Sequence, residues 1–201
     1  MKQGIIGKSI GCGILVLSFA ALLSCNDGTQ GNNTGNGDTT ATSGDTSTAG
    51  GDAMATLTAT YPDTTVNGTV RFVTESDGEV KMTLDLTVSS KANQSVAVHI
   101  HEHGDCGDTA HHAGAHWNPT NAPHGKWGGN AFHAGDIGNV SLDASGKGHL
   151  EIETRLWTIG GDPQKNILNK SIIVHGGVDD YTSQPSGNSG TRIACGPITK
   201  S

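Results

Sequence analysis

Val80-Lys81-Met82-Thr83-Leu84-Asp85-Leu86-Thr87-Val88 places an apolar side chain at every second position. Successive side chains of an extended chain point to opposite faces, so a period of two describes a strand with one face in a core and the other in water. Turn residues punctuate both ends, Asp77-Gly78 before and the stretch from Ser89 to Asn93 after.

Similar strand signals appear on either side of this segment. Toward the N-terminus they are Ala55-Thr56-Leu57-Thr58-Ala59-Thr60 and Val66 to Val73, with Gly68 as a turn residue. Toward the C-terminus they are Val96 to His101, Ile137 to Leu142, Gly148 to Thr154, Ser171 to His175 and a short one around Arg192 to Cys195. No segment carries a convincing helical period. Residues 104–130 form a long loop of Gly, His and Asn without periodicity, and a second loop covers 176–190. About eight strands and two long loops predict an all-β sandwich or barrel. Loops of that length in a compact domain usually carry function.

Composition agrees. Charged residues make up only 15%, and 30 glycines favour turns and short strands over long helices. The formal charge of −7 speaks against nucleic-acid binding and against attraction to an anionic membrane surface.

The first 24 residues read as a targeting segment. Lys2 and Lys8 precede the apolar run Ile10 to Leu23, which at 14 residues is short for a bilayer span of ~20 and suits a signal-peptide core. It leads into Leu22-Leu23-Ser24-Cys25, which resembles a bacterial lipobox with Cys25 as the lipidated residue. Cleavage before Cys25 removes two lysines and no acid, taking the charge to −9 (10 basic against 19 acidic). Residues 25–53 then form a tether, nearly all Gly, Asn, Thr, Ser or Asp, with a span of about 30 Å. The folded domain is expected over 54–201. With Cys12 in the leader and Cys25 lipidated, Cys106 and Cys195 remain as one pair, for which a disulfide is the default outside the cytoplasm.

His99 and His101 stand two apart on a strand, so both rings project from one face and reach a common point. His175 closes another strand. His116, His124 and His133 lie in and just after the long loop, with Asp136 three residues beyond His133. Taken singly each is unremarkable; a strand histidine is more often a satisfied polar residue than a ligand. Their ordered arrangement resembles the copper–zinc superoxide dismutase family. His99-Ile100-His101-Glu102, Ala115-His116-Trp117-Asn118-Pro119, His124-Gly125 and Phe132-His133-Ala134-Gly135-Asp136-Ile137-Gly138-Asn139 carry the likeness. So do Val174-His175 with Asp179-Asp180, and the stretch from Gly187 to Gly196. The resemblance spans roughly residues 55–198.

It implies an eight-stranded Greek-key β-barrel whose two long loops are functional. Copper would be held by His99, His101, His116 and His175, and zinc by His116, His124, His133 and Asp136, with His116 shared. Asp179 would accept from His99 and His124. Cys106 and Cys195 would form the family's disulfide, and Arg192 would orient a small anion beside copper, with Arg192 and His116 the catalytic residues. The implied reaction converts superoxide to dioxygen and hydrogen peroxide. A copper- or zinc-binding envelope lipoprotein without turnover is the alternative. The implied location is the bacterial cell envelope, periplasmic or surface-exposed, with the N-terminal lipid as the only membrane contact. The early Cys106 looks bacterial while the zinc-loop spacing looks eukaryotic, and the ending Thr199-Lys200-Ser201 is polar, so a homodimer is left open. His103, His111, His112 and His149 are expected to be solvated.

Overall fold

The computed structural model describes residues 50–201. The expected signal peptide, Cys25 and the tether up to residue 49 lie outside the described residues. The strands are β1 (Asp52–Ala59), β2 (Asn67–Thr74), β3 (Val80–Thr87), β4 (Ser95–His101) and β5 (Gly138–Ser141). They continue with β6 (Lys147–Thr154), β7 (Ser171–His175), β8 (Arg192–Pro197) and the two-residue β9 (Thr199–Lys200). Two 3-10 turns, Ser89–Lys91 and His111–Ala113, are the only helical pieces among the described residues.

Eight antiparallel strands form a nearly closed barrel in the order β5-β4-β7-β8-β1-β2-β3-β6, and β9 pairs with the start of β1. β1, β2 and β3 follow one another as neighbours, whereas β3 to β4 and β6 to β7 connect strands that do not pair, the Greek-key pattern. β9, from Thr199-Lys200, carries no sequence signal: two polar residues are recruited only because they run beside Ala53 and Met54.

The alternating residues do what their period demands. Val80, Met82, Leu84 and Leu86 of β3 are buried. Register places Met82 between Phe72 and Ile152, and Leu84 between Val70 and Leu150. Each such side chain contributes up to about 1.5–3 kcal/mol by leaving water. On the outer face Lys81 meets Glu151 and Glu153 at 3.2 and 3.5 Å, exposed pairs worth little. β4 departs from the half-buried pattern, because its outer face is buried too. Loops cover that face, and the site lies beneath them.

Candidate metal centre

Val96, Val98 and Ile100 of β4 join the barrel core, so His99 and His101 stand together on the opposite face. β7 runs beside β4 with Val98 opposite Val174 and His101 opposite Ser171. His175, at the end of β7, lies opposite Arg192 of β8 across a register shift. Past Gly138, where β5 begins, residues 115–117 run along the edge of β4. Trp117 N donates to Ile100 O at 2.8 Å and Glu102 N to Ala115 O at 3.1 Å, which sets His116 beside His101. The rings of His99 and His116 are 3.9 Å apart between centroids.

Two groups of four result. His99, His101, His116 and His175 each bring a nitrogen within 4.8 Å of the others, and His116, His124, His133 and Asp136 do the same with nitrogens and a carboxylate oxygen. All seven residues are buried and His116 belongs to both groups.

The unpaired atoms show what the groups are built to hold. His99 Nε2 meets Asp179 at 2.9 Å, His101 Nδ1 donates to Gly114 O at 2.9 Å, and His175 Nδ1 donates to Gly190 O at 3.1 Å. His124 Nε2 meets the other oxygen of Asp179 at 2.9 Å, and His116 Nδ1 meets Asp136 at 2.8 Å. The remaining nitrogens, Nδ1 of His99, Nε2 of His101, His116 and His175, and Nδ1 of His124 and His133, are buried with no hydrogen-bond partner. Each orphan costs about 1–3 kcal/mol if nothing replaces water. Six of them aimed into two small spaces fit cations. Nδ1 of His124 and of His133 stand 3.0 and 3.1 Å from Asp136 without hydrogen-bond alignment, as donors to a shared ion do. Four imidazoles suit copper in either oxidation state, and three imidazoles with a carboxylate suit tetrahedral zinc.

Protonation favours the same reading. Burial pushes His99 down to about 4 and His175 down to about 3, and it holds His101 well below its ordinary range, with the positive field of the neighbouring rings adding to the effect at His101 and His175. Burial also lowers His116. Neutral imidazole is the form that binds metal. Asp136 is different: burial opposes its charge, but contacts from His116 and His133 and the amides of His133 and Gly125 outweigh it and hold the carboxyl far below the usual range. Asp179 is lowered against burial by His99, the Tyr181 amide and His124.

A cavity of about 530 Å³ opens onto His101, His116, His133, His175 and Arg192. Arg192 reaches it with its guanidinium fixed, donating to the carbonyls of Ala110 and Gly114. Gly114 O thus receives both Arg192 and His101. Cys106 and Cys195 are bonded across 89 residues, tying this loop to β8.

Two roles here escaped the sequence. Gln184 lines the cavity and clamps the backbone of His124 on both sides, accepting from its N at 2.8 Å and donating to its O at 3.0 Å. Gly187, at φ +63°, passes so close to Asp179 that a Cβ would strike the carboxylate. A glutamine in a loop gives no signal, and Gly187, though it opens the family-like stretch to Gly196, shows its closeness to Asp179 only once the fold brings the two together. His103, His111, His112 and His149 are exposed and stand outside both groups, each beside a loop or strand partner such as Asp105 for His112 at 3.4 Å.

The sequence model described as Copper/zinc superoxide dismutase (SODC) matches residues 66–198. The chain is 37% identical over 139 residues to the Cu–Zn superoxide dismutase of Paramecium bursaria Chlorella virus 1, covering 66% of this chain and 72% of that protein. It is 36% identical over 121 residues to the extracellular Cu–Zn superoxide dismutase of Caenorhabditis elegans, covering 57% and 54%. Among solved structures, the clock protein EA4 superposes with a TM-score of 0.67 at 28% identity, covering 77% of this chain and 97% of that one.

Proposed function

Because the chain belongs to the copper/zinc superoxide dismutase family, we propose that His99, His101, His116 and His175 hold its copper and that His116, His124, His133 and Asp136 hold its zinc. The carrying observation is the set of six buried ring nitrogens left without a protein partner, divided between two groups that share one imidazole. Copper bound there supplies a one-electron couple and zinc a fixed positive charge, so that two superoxide anions and two protons become dioxygen and hydrogen peroxide.

The protein's own groups do the rest. Arg192 keeps its charge at any working pH and faces the cavity, so it attracts and orients the anion in a chain that is otherwise acidic. His116 has Nδ1 beside Asp136 and leaves Nε2 for the copper group. Its ring can therefore take up and release a proton at Nε2 while Nδ1 stays turned to the zinc group. Asp179 joins the groups from behind, one oxygen on His99 and one on His124, and fixes the tautomers of both.

The disulfide and the likeness to a protein named extracellular support export from the cytoplasm. The lipobox-like Leu22-Leu23-Ser24-Cys25 and the tether that follows support a lipoprotein held at a bacterial envelope. Superoxide decay, followed together with metal content on protein loaded with copper and zinc, tests the function. About one copper and one zinc per chain with fast decay is expected. Both metals retained without decay would mean storage.

A further inference from the structure

All three tryptophans of the chain bear on one segment. Trp117 follows His116, and its carbonyl accepts from Gly135 N at 2.9 Å. Trp127 lies three residues after His124, with its ring 5.2 Å from Phe132 and 5.1 Å from Trp157. Trp157 comes from the distant connection between β6 and β7 and is fully buried. Its ring meets Phe72 of β2 edge-on at 6.0 Å, and its Nε1 donates to Ala134 O at 2.8 Å. Ala134 follows His133 and precedes Asp136 by two residues.

A row of rings, Phe132, Trp127, Trp157 and Phe72, therefore runs from the segment carrying His124, His133 and Asp136 into the barrel core. That segment belongs to no strand and contains Gly125, Gly128, Gly129 and Gly135. Ordering such a chain costs about 1–2 kcal/mol per residue. For His99, His101 and His175 the ladder hydrogen bonds and core packing of β4 and β7 already offset that cost. The aromatic row and the indole hydrogen bond offset it with contacts that need no metal.

We propose that Trp127 and Trp157 are positioning residues that hold the 124–136 segment in its ligating shape before zinc arrives. The proposal rests on the reading of His116, His124, His133 and Asp136 as the zinc ligands. It implies that copper leans chiefly on the three strand histidines, with His116 shared, while zinc leans on the segment held by the aromatic row.

The test uses the metal-free full chain, zinc alone and copper alone as probes, and the variants W127A, W127F and W157F. Trp157→Phe keeps a ring in the core and removes only the indole N–H. Zinc affinity, read by competition with a chelator, should fall at least roughly tenfold in W127A and roughly three- to tenfold in W157F, and W127F should recover most of the loss. Copper affinity should stay within about threefold throughout. Amide exchange over 125–135 in the metal-free protein should be slow in the wild type and fast in W127A. Unchanged zinc affinity in W127A and W157F would overturn the proposal, and so would copper affinity falling in step with zinc. If W127A does not fold, unchanged zinc affinity in W157F alone would overturn it. A wild-type chain that takes up copper but no zinc would instead overturn the ligand reading, and the brace with it.

Discussion

Arg192 spends two donors on the carbonyls of Ala110 and Gly114 and still faces the cavity. Those two bonds aim a side chain that would otherwise sample many rotamers, and the fork of donors leaves others for an anion. Arg192→Gln should slow turnover by roughly tenfold at low ionic strength and flatten its salt dependence. Copper content should not change, because Arg192 is in neither ligand group. Stopped-flow superoxide decay at several salt concentrations, with metal analysis, reads both; an unchanged rate and slope would remove Arg192 from anion capture.

At the scale of elements, the first long loop is held at three points. Cys106 bonds it to Cys195 on β8, Gly114 O receives His101 and Arg192, and Ala115 O receives Glu102 N. Ala110 and Ala113 pack with Ile173 and both cysteines in a small apolar cluster under the turn. Replacing both cysteines by serine should cost about 2–4 kcal/mol in denaturant unfolding. It should also weaken copper binding, since the carbonyls that fix His101 and Arg192 belong to the released loop. Unfolding curves and a copper competition series check the two parts separately. A midpoint unchanged from the wild type would mean that the cluster alone secures the loop.

On the scale of the whole molecule, the domain is a rigid barrel whose active face is made by loops, with a low-complexity stretch between it and the N-terminus. Under the proposed lipid anchor, Cys25 would hold the protein at a membrane. Cys25→Ala should move the protein from the membrane fraction to the soluble fraction of the producing cell, with the activity of the domain retained. Fractionation with an activity assay reads this, and a variant that stays with membranes would end the lipid-anchor reading. Bound metal also acts on the whole fold, because an ion that binds only the native state adds about 4 kcal/mol at a thousandfold excess over its Kd.

Much of this was open to reading residue by residue. The period of two in Val80 to Val88 is local physics, and so is the pairing of His99 with His101 on one face, because side-chain direction along a strand depends on nothing distant. The ligand set from His99 to His175 came through the family resemblance of its ordered motifs, and the cysteine pair through counting the four cysteines. Other features took shape only when the chain closed. Gln184 reaches the backbone of His124 across 60 residues, Arg192 reaches Ala110 across 82, and Trp157 reaches Ala134 across 23. A carbonyl has no letter of its own, and a glutamine or tryptophan looks alike on a surface and in a brace. Strand register and loop return decide which of them arrives at the site, and those are properties of contacts between distant segments.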